Sequence, residues 1–184
     1  MLLPLGILAS SGGAAASDFQ LISSQVLAST ATSVTFSSIP STFRHLQIRV
    51  TYHQNTSGYL FFTANNHSAA GSTSGHYLIG NGSTVVSDGH INWPGYFFNG
   101  DTGATDADGS SVFTAAIIDA LDYSQTTKAK TYRSLWGQAV SGNNNVVLTS
   151  GRDASTEAVD TIKLWTGGAQ LFAVGSRFSL YGWN

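Results

Sequence analysis

The chain has 184 residues, with 8 Lys or Arg against 10 Asp or Glu and a formal net charge of −2. That length fits one domain, or one domain with an appendage, and is enough to bury a substantial core. Charged residues are 10% of the chain, against ~25% in typical globular proteins, so no basic field exists for nucleic acid or an anionic membrane surface. There is no cysteine, which excludes a disulfide or a thiolate metal site and leaves the redox compartment unread. Polarity comes from Ser, Thr, Asn and Gly instead, a surface suited to packing against neighbours or touching neutral ligands such as sugars.

The first element is "MLLPLGILASSGGAAASD". Leu2, Leu3, Leu5, Ile7 and Leu8 are crowded into nine residues, followed by Ser, Gly and Ala with no charge before Asp18. A secretion signal needs a basic start and an uninterrupted apolar stretch. Here no Lys or Arg precedes Arg44, and Pro4 and Gly6 interrupt the run, so the segment is expected to be retained. A membrane span needs ~20 apolar residues, more than twice this run. Residues 1–18 therefore read as an extended apolar arm on a Gly/Ser/Ala hinge. Such an arm needs a partner to cover it, unless it folds back on its own domain.

Residues 19–184 read as one β-domain. "FQLISSQVL" and "SVTFSSIP" are strands, the second stopped by Pro40. In "FRHLQIRVTYHQ", Leu46, Ile48, Val50 and Tyr52 alternate with polar residues, the pattern of a half-buried strand; His45 and His53 are expected on its polar face. "GYLFFTAN", "HYLIGNG", the apolar "SVFTAAIIDAL", "KTYRSLWGQAV", "NVVLTSG", "DTIKLWT" and "RFSLYGW" follow. Turn signals stand at Asn81-Gly82, Asp88-Gly89, Asp108-Gly109 and Gly142-Asn143, and Gly100 to Ser110 reads as an exposed loop. The closing strand, with Phe178, Leu180 and Trp183, is expected to pair with the first ones. No stretch keeps a helical period with caps. About ten short strands with these turns predict an antiparallel β-sandwich or barrel.

Catalytic chemistry finds little support. Glu157 is the single Glu, so paired-carboxylate hydrolysis lacks acids. Asp119 and Asp122 read as a strand end and a turn. His45, His53, His67, His76 and His90 form neither HxH nor HExxH, so no metal is expected. "GSTSG" centres on Thr73 and is no nucleophile elbow. "GNGSTV" lacks the third glycine of a dinucleotide loop. "DADG" lacks the spaced ligands of a calcium loop. The most suggestive surface stretch is "HINWPGYFFNG". There His90, Trp93, Tyr96 and Phe97 surround a Pro-Gly turn. Flat rings with polar neighbours can stack on a sugar ring, or they can cap the core or an oligomer interface.

Four blocks resemble bacteriophage virion structural proteins, the small tail-fibre and head-decoration types. They are "LPLGILASSGG" (Leu3 to Gly13), "SVTFSSIPSTFRHLQIRV" (Ser33 to Val50), "LDYSQTTKAKTYRSLWG" (Leu121 to Gly137) and "AVGSRFSLYG" (Ala173 to Gly182). The resemblance implies an all-β, jelly-roll-like antiparallel sandwich with an extended N-terminal arm. It implies a non-enzymatic role without cofactor or metal, in a virion assembled in the host cytoplasm. The protein would decorate or cement the head, or form part of a fibre. Its partners would be other virion proteins and copies of itself, a trimer being the expectation from class. Neither nucleic acid nor membrane is an expected partner. The alternative is a fibre tip that reads host surface glycan through the aromatic loop. Residues 55–109 carry no part of the resemblance.

Overall fold

The computed structural model describes residues 19–68, 72–91, 95–97, 105, 111–140 and 143–184. Leu2, Leu3, Leu5, Ile7, Leu8 and Trp93, and the expected turn at Asp108-Gly109, lie outside them. Among the described residues there are twelve strands and no helix. They are β1 (Phe19–Val26), β2 (Ser33–Phe36), β3 (His45–Tyr52), β4 (Leu60–Ala64), β5 (Thr73–Gly80), β6 (Val85–Ile91), β7 (Tyr96–Phe97), β8 (Thr114–Leu121), β9 (Lys130–Val140), β10 (Asn143–Asp153), β11 (Ile162–Thr166) and β12 (Arg177–Trp183). The large sheet has the order β1-β12-β3-β8-β9-β10-β5-β6, and the small one β2-β11-β4-β7. Every strand pair is antiparallel.

The pairing is nested. First meets last in β1 and β12, then β2 meets β11, β3 meets β8, and β4 meets β7. The chain is thus a long hairpin rolled into two layers. The hairpins β5–β6 and β9–β10 extend the large sheet beyond the rolled part.

Period-two patterning explains why the layers close. On β3, Leu46, Ile48, Val50 and Tyr52 are buried while Arg49 and Thr51 are exposed. They share one core with Phe62 and Leu164 of the small sheet and with Ile118, Phe178 and Leu180 of the large one. Phe62 joins the layers, its ring centroid 4.8 Å from that of Tyr132 on β9. β4 is buried on both faces. On its outer side Trp165 stacks on Phe61 at 4.5 Å and donates from Nε1 to Thr63 Oγ1 at 2.8 Å.

Several expectations need correction. There are two strands more than the ten expected, because β6 and β7 were not foreseen. Asp88-Gly89 is no turn: it lies inside β6, paired with Tyr77 and His76 of β5. The real turn is at Asn81-Gly82, where Gly82 has φ 88° and Asn81 Oδ1 accepts from the Ser83 and Thr84 amides. His53 is not on a polar face. It lies beyond the end of β3, is buried, and its Nδ1 is 2.8 Å from the Val112 carbonyl. Asp119 sits within β8 rather than at its end, while Asp122 occupies the expected turn with φ 49°. Trp183 packs on His45 on the side of the sheet away from the core, with ring centroids 4.3 Å apart. The closing strand does pair with β1 and β3.

Candidate interaction site

The far side of the large sheet carries side chains in cross-strand rows, and strand register puts unlike residues in different rows. One row runs Gln47–Asp119–Arg133–Ser150–His76 from β3 to β5. It is polar and internally bonded: Asp119 accepts from Gln47 Nε2 at 2.9 Å and from Arg133 Nε at 3.0 Å. The next row is Arg49–Ile117–Leu135–Leu148–Leu78. The one after it is Thr51–Ala115–Gly137–Val146–Gly80–Val85.

These last two rows form an unusual surface. Ile117, Leu78, Leu135, Leu148, Val146 and Val85 keep from 43% to 70% of their area exposed. They lie side by side, not scattered. Where Ala115 and Gly137 replace larger side chains, the surface dips into a trough of about 540 Å³. Ile117, Leu135 and Val146 wall it on one side, and Arg49 and Arg177 on the other. Arg49 is held in place: its Nε donates to Gln47 Oε1 at 3.0 Å, and its guanidinium lies 4.8 Å from the Phe19 ring and 4.9 Å from Tyr181. Phe19 and Tyr181 stack at 4.9 Å. A contiguous exposed apolar surface on a water-facing sheet is a candidate contact site, because single exposed aliphatics are ordinary but neighbouring ones invite burial.

The trough was not identified from sequence. Its signal was the run "TAAIIDAL", apolar at odd and even positions alike. A strand with one face on the core should alternate. Here Ala116 and Ile118 fill the core while Ala115 and Ile117 face out.

The aromatic stretch is divided by the fold. His90 tilts against Tyr77 with ring centroids 5.6 Å apart on β5–β6, and the backbones of Tyr96 and Phe97 pair with Phe62 and Phe61 on β4. Gly95 lies against the small sheet: a Cβ there would meet Phe62 O at 2.9 Å and Trp165 at 3.6 Å. The ring missed by sequence reading is Trp165. It borders a cleft of about 190 Å³ with Thr63, Asn66, Ser68 and Lys163. Asn65 and Asn66 both have left-handed φ, 47° and 56°. Asn65 holds this turn by donating to the Ala158 carbonyl and accepting from the Asp160 and Thr161 amides.

Titratable groups gather at the rim where β9 begins and β10 ends. His67 Nδ1 is 2.8 Å from Asp153 Oδ2 and its Nε2 is 3.2 Å from Glu157 Oε2. Burial pulls the imidazole down, but the hydrogen bonds and charges of Asp153 and Glu157 more than reverse this, leaving its pKa above 6.5. Lys130 is buried and donates to the carbonyls of Gln125, Lys128 and Thr156. These bonds fasten the β8–β9 turn to the segment after β10. Asp122 is held below the usual carboxylate range, first by its hydrogen bond from Lys128, with Arg44 adding to it. No group of three or more His, Cys, Asp or Glu with metal-binding geometry occurs among the described residues. Comparison with protein-family models, curated proteins and solved structures finds no match to this chain.

Proposed function

We propose that the chain is a non-enzymatic structural protein of a phage particle, a head decoration or cement subunit or a fibre component. It is held by its N-terminal arm and assembled with copies of itself. The observation that carries this reading is the aliphatic surface of the large sheet, a place for another polypeptide rather than for bond-making. The resembling blocks add to it. Ser33–Val50, Leu121–Gly137 and Ala173–Gly182 cover most of β3, β9 and β12, three of the five successive strands β12-β3-β8-β9-β10 that line the trough. The nested pairing supports the finer assignment of a jelly roll, with β1-β12-β3-β8 facing β2-β11-β4-β7, an architecture common in viral capsid and lectin domains. The test is location and retention. The chain is expected in purified particles, and deleting residues 2–13 is expected to strip it from them. Unchanged incorporation of the deletion variant would overturn the anchoring role.

A second reading, glycan recognition, is favoured by the Trp165 cleft, which sets an indole beside hydroxyl, amide and ammonium groups. An indole face and a polar rim match the apolar and hydroxyl sides of a sugar ring. Glycan-array signal from the full chain, lost in both Trp165→Ala and Trp93→Ala with the fold retained, selects this reading. A silent array removes it.

A further inference from the structure

We infer that the aliphatic strip of the large sheet, from the trough floor at Ala115 and Gly137 across to Leu148 and Leu78, receives the Leu2–Leu8 segment of a second copy of this chain. The inference names the receiving surface for the arm and rests on the anchoring role proposed above.

Size is the first argument. Adjacent strands lie ~4.8 Å apart and same-face rows ~6.8 Å apart. The aliphatic strip covers two rows on β8, β9, β10 and β5, so it measures about 19 by 14 Å, or roughly 270 Å² of sheet. A stable interface between whole subunits needs about 800 Å² from each partner. A sheet laid on it face to face would also have to cover the internally bonded Gln47–Asp119–Arg133 row. It is the right size for one extended peptide: Leu2 to Leu8 spans about 20 Å when extended.

Chemistry is the second. The strip offers an aliphatic wall of Ile117, Leu135 and Val146 and a floor of Ala115 and Gly137, and the segment offers five large aliphatics with no charge. Among the described residues that line the trough, the fixed charges are Arg49 and Arg177, which lie on one wall and leave the floor neutral. Burying each aliphatic side chain contributes about 1.5–3 kcal/mol, and ordering each residue of backbone costs about 1–2 kcal/mol. One arm therefore binds weakly, and a closed set of arms binds firmly through avidity.

Direction is the third, and it selects a second copy over the same chain. β1 starts at Phe19, opposite Trp183, and ends at Val26, opposite Arg177. Arg177 borders the trough and Trp183 sits at the far end of β12. The backbone therefore enters the sheet at the end away from the trough, although the Phe19 ring reaches the trough wall at Arg49 and Tyr181, and a return of the segment to its own trough requires residues 9–18 to reverse direction across the polar Gln47–Asp119–Arg133 row. Arm and trough are different surfaces of one chain, so the contact is head-to-tail and generates a ring when its rotation closes.

The absence of cysteine makes cross-linking clean. Full-length Ile7→Cys is mixed with full-length Leu148→Cys under mild oxidation, with Thr35→Cys on the outer face of the small sheet as control. The 7–148 link between chains is expected to form at least fivefold faster than the 7–35 link. Adding Ile117→Glu to the Leu148→Cys chain, with circular dichroism unchanged, is expected to cut it at least fivefold. Equal rates for the two links overturn the inference. So does a double variant, Ile7→Cys with Leu148→Cys, that closes only within single chains. A particle lacking this protein overturns the structural reading and leaves the cross-link standing. A particle that keeps it through residues 2–13, without a 7–148 link, does the converse.

Discussion

Phe62 and Leu135 are both large apolar side chains on strands, yet they should behave oppositely when truncated. Phe62 is fully buried between the layers, packed on Tyr132 and paired across β11 with Leu164. Phe62→Ala removes a ring from the core shared by both sheets, and the strands around it cannot collapse without breaking their ladders. Truncations of this kind cost about 3–5 kcal/mol. For a chain of this length each kcal/mol lowers Tm by about 2–4 °C, so the midpoint should fall by about 6–20 °C. Leu135 is 52% exposed on the far face. Its removal leaves no cavity, and Leu135→Ala should cost under about 1 kcal/mol in the isolated subunit. Thermal and urea unfolding of both variants, measured at concentrations where the subunit is monomeric, gives the comparison. A loss above about 2 kcal/mol for Leu135→Ala would falsify the claim that this face is spare in the free subunit.

Other outcomes follow from the same geometry. His67 has a raised pKa in the folded state, so its contribution is fully present below pH 6.5 and is lost as pH rises through the folded value; unfolding midpoints of the wild type and His67→Gln should converge at alkaline pH, and a constant gap from pH 5 to 9 contradicts this. Asp122 has a lowered pKa, so its contribution holds above pH 3.8 and fades as pH falls through the folded value; acid titration of Asp122→Asn against the wild type should close the gap there. Lys130→Met leaves the carbonyls of Gln125, Lys128 and Thr156 without their donor and should cost about 2 kcal/mol or more by urea unfolding. A Cβ at Gly182 would run into the Phe43 ring; Gly182→Ala should cost about 1–3 kcal/mol, and a double-mutant cycle with Phe43→Ala should recover part of it, whereas strict additivity refutes the clash.

Much of the fold was legible because its information is local. Period-two alternation gave β3, "KTYRSLWGQAV" coincides with β9 and "RFSLYGW" with β12. Each strand face must choose between core and water within a few residues, and that choice is written in side-chain type. β6 escaped because "VVSDGHI" contains a turn-like dipeptide whose backbone groups are satisfied by β5 instead. His53 escaped because its burial comes with contacts to residues 59 and 123 positions away, the Val112 carbonyl and the Ser176 hydroxyl.

What the sequence determined by itself was the class of structure: strands, turns and a scarcity of charge. The nesting of β1 with β12 and β2 with β11, and the pairing register, were decided only by the tertiary structure. Register brings Ile117, Leu135, Leu148 and Leu78, four residues from four separate strands, into one row. A shift of one residue would turn each of those side chains to the opposite face, because the side-chain period of a strand is two. No single strand carries the information that makes its neighbours line up.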